Sequence, residues 1–195
     1  MASRTNDRAH GYVLIGGRSR RMGTPKALID VDGRPAAIVM ADRLSLGGCH
    51  PVDLVAPADS PESVRALATL TDPGVGPVGA IREALRHAST PFVLVVAVDQ
   101  LGFAGPDVRR LLDEARDGDG AIDVFVAGGP SDVQWLIGVW RRSTMLARLD
   151  ALVGEPNSSV RSALRGSTVS VVPFPDSALL NVNTPEDLRL LRESE

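Results

Sequence analysis

The chain has 195 residues, 44% of them apolar and 23% charged, with a net charge of −3. That length suits one domain with a sizeable core, and a pI near 5.6 excludes the basic surface of a generic nucleic-acid binder. No run approaches the roughly 18 apolar residues of a membrane span, and the polar start MASRTNDRAHG lacks the apolar stretch of a secretion signal.

Residues 1–10 read as a disordered tail, and 11–195 as a single domain. Tyr12 to Ile15 is a short apolar run that enters the Gly16-Gly17 turn, the pattern of a buried strand. The polar loop RSRRMGTPK follows, and Leu28, Ile29 and Val31 suggest a short strand before Asp32-Gly33. Residues 35–47 fit a helix with Pro35 at its start and Gly47-Gly48 at its end. Val52 to Ala56 reads as a strand and 61–68 as a helix. The stretch DPGVGPVG, 72–79, is expected to be irregular, with a helix from Ala80 to His87. Phe92 to Val98 is the most apolar run, without alternation, as in a strand buried on both faces of a parallel sheet.

Residues 106–116 then read as a helix, Val124–Val126 and Val133–Trp140 as strands, and Thr144–Val153 and Ser159–Leu164 as helices. Val169–Val172 is the last strand, and Pro185–Arg192 the last helix, with Thr184 as its N-cap. This alternation predicts an α/β protein in three layers, Rossmann-like, with a mostly parallel central sheet covered by helices on both faces. Ligands of such sheets lie at the carboxyl ends of the strands. There the sequence places the glycine loop after Ile15, and Asp99 at the end of FVLVVAV.

The basic residues number 21, and Lys26 is the only lysine among them. It lies in the glycine loop with Arg18, Arg20 and Arg21. Glycines let a ligand approach the backbone, and the four cations suit a polyphosphate. The same loop can also be read as a solvated basic turn. It is neither a P-loop, because Ala27 stands where that motif has a magnesium-binding Ser or Thr, nor a G-x-G-x-x-G or G-x-S-x-G turn. The single Cys49 forbids an internal disulfide and, with His50, reads as structural; three scattered histidines predict no Cys/His zinc cluster.

The run L-I-G-G-R-S-R-R-M-G-T-P-K-A-L, residues 14–28, resembles the signature of the molybdenum cofactor guanylyltransferases, a family of the nucleotidyltransferase superfamily. The resemblance implies their fold, magnesium as cofactor, and GTP and molybdopterin as substrates. It implies that Leu14, Ile15, Gly16, Gly17 and Ser19 contact nucleotide, that Arg21 and Lys26 bind its phosphates, and that Asp72 and Gly76 in D-P-G-V-G-P-V-G help hold base and ribose. Asp99 is implied as nucleotide and metal ligand. The family's D-x-P is here Asp99-Gln100-Leu101. On the acceptor side Gln134 opens a Q-P-L-like segment with Trp135 in place of proline, Arg161 lies in an S-L-R-like stretch, and Asn181 and Asn183 belong to an N-x-N-T-P-E-D-L match. Trp135 and Trp140 read equally as core.

The activity so implied is transfer of GMP from GTP to the phosphate of molybdopterin carrying molybdenum. A cytoplasmic enzyme is expected, with molybdenum-insertion proteins and receiving molybdoenzymes as its further partners. Two alternatives share much of the sequence pattern. One is nucleotidyl transfer with other substrates: cytidylyl transfer to molybdopterin, for which Pro25 before Lys26 speaks, or transfer to another small phosphate. The other is a non-catalytic protein that binds nucleotide or pterin.

Overall fold

A strand that is apolar at every position can be stable only where both sheet faces are covered. In the computed structural model, which describes residues 9–16, 24–130, 132–152 and 159–194, this is the situation of Phe92–Ala97, buried throughout. In chain order the strands are β1 (Ala9–Leu14), β2 (Asp30–Val31), β3 (Arg34–Pro35), β4 (Cys49–Pro57), β5 (Leu70–Asp72), β6 (Phe92–Ala97), β7 (Val124–Gly128), β8 (Val133–Arg141) and β9 (Val169–Pro173). The helices are α1 (Ala36–Gly47), α2 (Glu62–Arg65), α3 (Pro77–His87), α4 (Gly105–Asp117), α5 (Arg142–Ala151), α6 (Val160–Ala163) and α7 (Pro185–Ser194).

Seven strands form one sheet in the order β5-β4-β1-β6-β8-β7-β9. β5, β4, β1 and β6 pair in parallel, β9 is parallel to β7, and β8 alone runs against its neighbours. β2 and β3 form a separate small hairpin. After β1 the chain moves outward through β4 to β5, then returns to lay β6 on the other side of β1. The order therefore reverses between β1 and β6, which opens a crevice at their carboxyl ends.

The period-2 geometry of strands divides the core into two layers. Val13, Leu94 and Val96 pack with Met40 and Leu44 of α1 and Leu111 and Leu112 of α4. Tyr12, Leu14, Val93 and Val95 pack with Ile81 and Leu85 of α3 and Met145 and Leu149 of α5. The expected three-layer α/β architecture is thus the observed one. Cys49 is buried, and burial pushes its thiol up to about 12, so it stays a protonated thiol. Among the described residues no helix is long and apolar enough to cross a membrane.

Four local expectations are corrected. Ala9 and His10 belong to β1, where Ala9 pairs with both Cys49 and Phe92, and are not part of a tail. Leu28 lies in a 3-10 turn, Lys26–Leu28, and not in a strand. The 72–79 stretch is not wholly irregular: Asp72 ends β5, which gains order from pairing with β4, and α3 starts at Pro77. Proline at the first helical position loses no needed donor, and Gly76 before it adopts φ +92°, closed to most L-residues. The 61–68 helix shrinks to the single turn of α2. Val153 lies outside the described residues.

Leu94 is fully buried in β6, whereas Leu46 on α1 is 73% exposed. Leu94→Ala is expected to cost about 2–5 kcal/mol through a cavity, and Leu46→Ala less than about 0.5 kcal/mol. Urea denaturation midpoints of the two variants check this.

Candidate active site

The crevice predicted by the strand order is a cleft of about 540 Å³. Its walls come from the ends of β1 and β6 (Leu14, Gly16, Ala97, Val98, Asp99, Gln100), the β5–α3 connection (Asp72, Gly76, Pro77) and the start of β8 (Val133, Gln134, Trp135, Leu136). The backbone continues β1 past Leu14, since Ile15 N donates to Val55 O at 2.8 Å. Gly16 then passes so close to β4 that a Cβ there would lie 2.4 Å from Pro57 Cδ. Leu14 and Gly16 face the cleft, while the Ile15 side chain is buried in the core. Gly17, Ser19 and Arg21 lie outside the described residues.

Lys26 and Asp99 meet in this cleft. Lys26 Nζ donates to Asp99 Oδ2 and to Asn183 Oδ1, each at 2.5 Å. Both partners of Lys26 are held by backbone bonds. Val98 N donates to Leu14 O at 3.1 Å, which carries the β1–β6 junction up to Asp99. Val182 N donates to Asp99 O at 2.7 Å, which fastens the 181–183 segment to the same strand end. Asn183 is set by a reciprocal cap on α7. Asp187 N donates to Thr184 Oγ1, while Asn183 N and Thr184 N donate to Asp187 Oδ2 at 2.8 Å each. The N–H of Asn183, together with the Thr184 donors, holds the Asp187 carboxyl below its ordinary range.

Asp72 is 4% exposed, and Gly74 N donates to its Oδ1 at 2.5 Å. Burial raises its carboxyl above the ordinary range; the Gly74 N–H opposes that shift, and Asp59 and Glu83 add to it. Gln100, in sequence only a departure from D-x-P, is buried and donates from Nε2 to Gln134 Oε1 at 3.1 Å. Gln100 Oε1 and Asn181 Oδ1 are buried without a hydrogen-bond partner among the described residues, and both residues line the cleft.

Lys26, Asp72, Gly76, Asp99, Gln134, Asn181 and Asn183 therefore meet around one cleft. Arg161 does not line it: it is exposed on α6. Trp135 lines the cleft, whereas Trp140 is core, packed in the layer beneath α5. Asp132 also lines the cleft, and no motif marked it. The expectation that the histidines are scattered holds along the chain but not in space, because His10 and His87 converge on Asp53 beneath α3.

A mostly parallel sheet with a lysine–carboxylate pair at its switch point defines an α/β protein of the class whose ligands lie at the carboxyl ends of the strands. Comparison with known proteins narrows the class. The family model described as the MobA-like NTP transferase domain matches residues 11–171. A protein from Rhodopirellula baltica named "Probable molybdenum cofactor guanylyltransferase" is 33% identical, over 91% of this chain and 89% of its own. One of the same name from Mycobacterium marinum is 32% identical over 96% of both chains. The crystal structure of "Molybdopterin-guanine dinucleotide biosynthesis protein A" from Archaeoglobus fulgidus has the same fold, with TM-score 0.74 and 21% identity over 95% of this chain and 97% of its own. This chain belongs to the MobA-like NTP transferase family.

The raised carboxyl of Asp72 has a consequence for stability. Its folded form binds the proton more readily than its unfolded form, so its ionisation opposes folding as pH rises above the ordinary carboxylate range. Asp72→Asn is expected to be more stable than wild type at pH 7, and the gap is expected to close as pH falls through and below the usual carboxylate range. Paired denaturation curves at pH 7 and in mild acid measure it.

Proposed function

We propose that the protein transfers the guanylyl group of GTP to the phosphate of molybdopterin carrying molybdenum, releasing pyrophosphate and forming a molybdopterin guanine dinucleotide. The observation that carries this reading is the position of Lys26, between Asp99 and Asn183 in the cleft at the β1–β6 switch point. The family relation supports the substrates. In this reading the chain from β1 onward acts as one catalytic unit in the cytoplasm. The product goes to molybdoenzymes, and molybdenum-insertion proteins act before it.

The reaction forms a bond between an acceptor phosphate oxygen and the α-phosphorus, and breaks the bond from the α-phosphorus to the bridging oxygen. The electron pair leaves with pyrophosphate. No protein nucleophile is needed; the protein aligns two anions and balances the charge on the leaving group. Gly16 and Gly17, without side chains, let the nucleotide approach the backbone, and Lys26 and Arg21 neutralise its phosphates. Ser19, Asp72 and Gly76 position the nucleoside side, and Gln134, Asn181 and Asn183 the pterin side.

Asp99 Oδ2 and Asn183 Oδ1 are hard oxygen donors that converge on one cation, at present the Lys26 ammonium. This donor set fits Mg²⁺. Asp99 is the residue that would hold it, and the ion would supply charge neutralisation at the phosphoryl oxygens. The flexible stem of Lys26 would let its ammonium reach the nucleotide phosphates, which a rigid guanidinium fork does not match.

The Lys26→Arg variant is therefore expected to fold normally and lose at least about tenfold in turnover, and Asp99→Ala to lose about a hundredfold or more. Pyrophosphate release with GTP, Mg²⁺ and molybdopterin, alongside circular dichroism of each variant, checks both; turnover near wild type in either removes that residue from the mechanism. Pro25 directly before Lys26 favours a second reading, cytidylyl transfer. With GTP and CTP offered together, mass analysis of the product is expected to show the guanine dinucleotide; a cytosine dinucleotide would establish the second reading instead.

A further inference from the structure

At the opposite end of β1 from the cleft, three side chains meet that the transfer reaction does not use. His10 Nε2 lies 2.6 Å from Asp53 Oδ2, and His87 Nδ1 lies 3.5 Å from the same oxygen. Ligand atoms of the three residues all lie within 4.8 Å of one another. His10 is on β1, Asp53 on β4 and His87 in the last turn of α3. In the parallel register Tyr12 is opposite Asp53, which places His10, Tyr12 and Asp53 on the sheet face that α3 covers.

We infer that His10, Asp53 and His87 form a binding site for a first-row transition-metal dication of the zinc type, separate from the catalytic cleft. Hydrogen bonding alone accounts for part of the cluster. Each ring nitrogen carries at most one proton, so the chain runs from His87 Nδ1 to Tyr12 Oη at 2.9 Å, from Tyr12 to His10 Nδ1 at 3.0 Å, and from His10 Nε2 to Asp53. That chain leaves the approach of His87 to Asp53 unexplained. Coordination uses the approaches of both His10 Nε2 and His87 Nδ1 to Asp53 and gives up the Tyr12–His87 hydrogen bond.

Metal–ligand bonds of about 2.0–2.2 Å in a tetrahedral shell put neighbouring ligand atoms about 3.3–3.6 Å apart. The His87–Asp53 pair already has this spacing, and the His10–Asp53 pair must open by less than about 1 Å to reach it. Tyr12 supplies the outer support that such sites use. With His10 Nε2 on an ion, the ring proton sits on Nδ1 and the Tyr12 hydroxyl would accept from it. The His87 side chain is 47% exposed, so an ion can enter and a water can complete the shell.

Two imidazoles and one carboxylate select a borderline ion such as Zn²⁺ over Mg²⁺, which prefers oxygen ligands. The site thus differs in chemistry from the one at Asp99. It also differs in place: His10 and Leu14 are about 13 Å apart along the strand at 3.3 Å per residue. An ion here joins the C-terminal end of α3 to the two strands beneath it, and the other end of α3 begins at Pro77 in the cleft wall.

The test is calorimetric titration of the chelator-stripped full chain with Zn²⁺. The expected result is one equivalent bound, with affinity reduced at least about tenfold in His87→Ala and in Asp53→Asn and unchanged in Asp99→Ala. Because His87 is half exposed, its removal leaves the core intact and keeps the test interpretable if Asp53→Asn fails to fold. Co²⁺ in place of Zn²⁺ is expected to give the visible absorption of a tetrahedral nitrogen–oxygen site in the wild type and to lose it in His87→Ala. No stoichiometric binding, the same affinity in His87→Ala as in wild type, or loss of binding in Asp99→Ala would each overturn the inference.

Discussion

The ammonium of Lys26 joins parts of the chain that are distant in sequence. It donates to a carboxylate 73 residues away and to an amide 157 residues away. A charge that is mostly withdrawn from water is stable only with well-placed partners, so the strand end at Asp99 and the turn at Asn183 must both be set before Lys26 can settle. Much of the architecture serves that condition. The β1–β6 ladder sets Asp99, the Val182–Asp99 backbone bond sets the 181–183 segment, and the cap at Thr184 and Asp187 orients Asn183. A single cation thus closes the N-terminal third of the chain against its last helix.

The cleft around this junction combines satisfied and unsatisfied polar groups. Gln100 spends its amide donor on Gln134, which stiffens the wall where the family pattern has a proline nearby. The buried oxygens of Gln100 and Asn181 have no partner among the described residues. Buried acceptors without donors are costly in a folded protein, and here both residues line the cleft. The departure at Gln100 therefore changes the chemistry of the wall without removing the Asp99 carboxylate from its place.

The two ends of β1 show how one strand can serve two purposes. Its carboxyl end runs into Gly16, which lies against Pro57 and lines the cleft. At its amino end, His10 and Tyr12 take part in a polar cluster with Asp53 and His87. Between the two ends the residues alternate between the two apolar layers, so the polar groups are kept apart by core.

Several properties were legible from residue order alone because their causes are local. The apolar run 92–98 could only be a doubly covered strand, the alternation of strands and helices entailed a layered sheet, and Thr184 before Pro185 marked a helix start. Lys26, Asp99, Asn181 and Asn183 stood out through their motifs. Other features depend on partners that local order does not name. β5 has three residues, and its order comes from pairing with β4. Arg161 matched a motif yet lies on the exposed side of a one-turn helix. The contact of Lys26 with both Asp99 and Asn183 required the β1–β6 register and the α7 cap together. The meeting of His10, Asp53 and His87 required parallel pairing and the docking of α3. The sequence by itself determined the fold class and most of the residues of the cleft, since hydrophobic period and turn chemistry act over a few residues. Only the tertiary structure decided which of those side chains touch, because strand order and helix docking set distances between residues far apart in the chain.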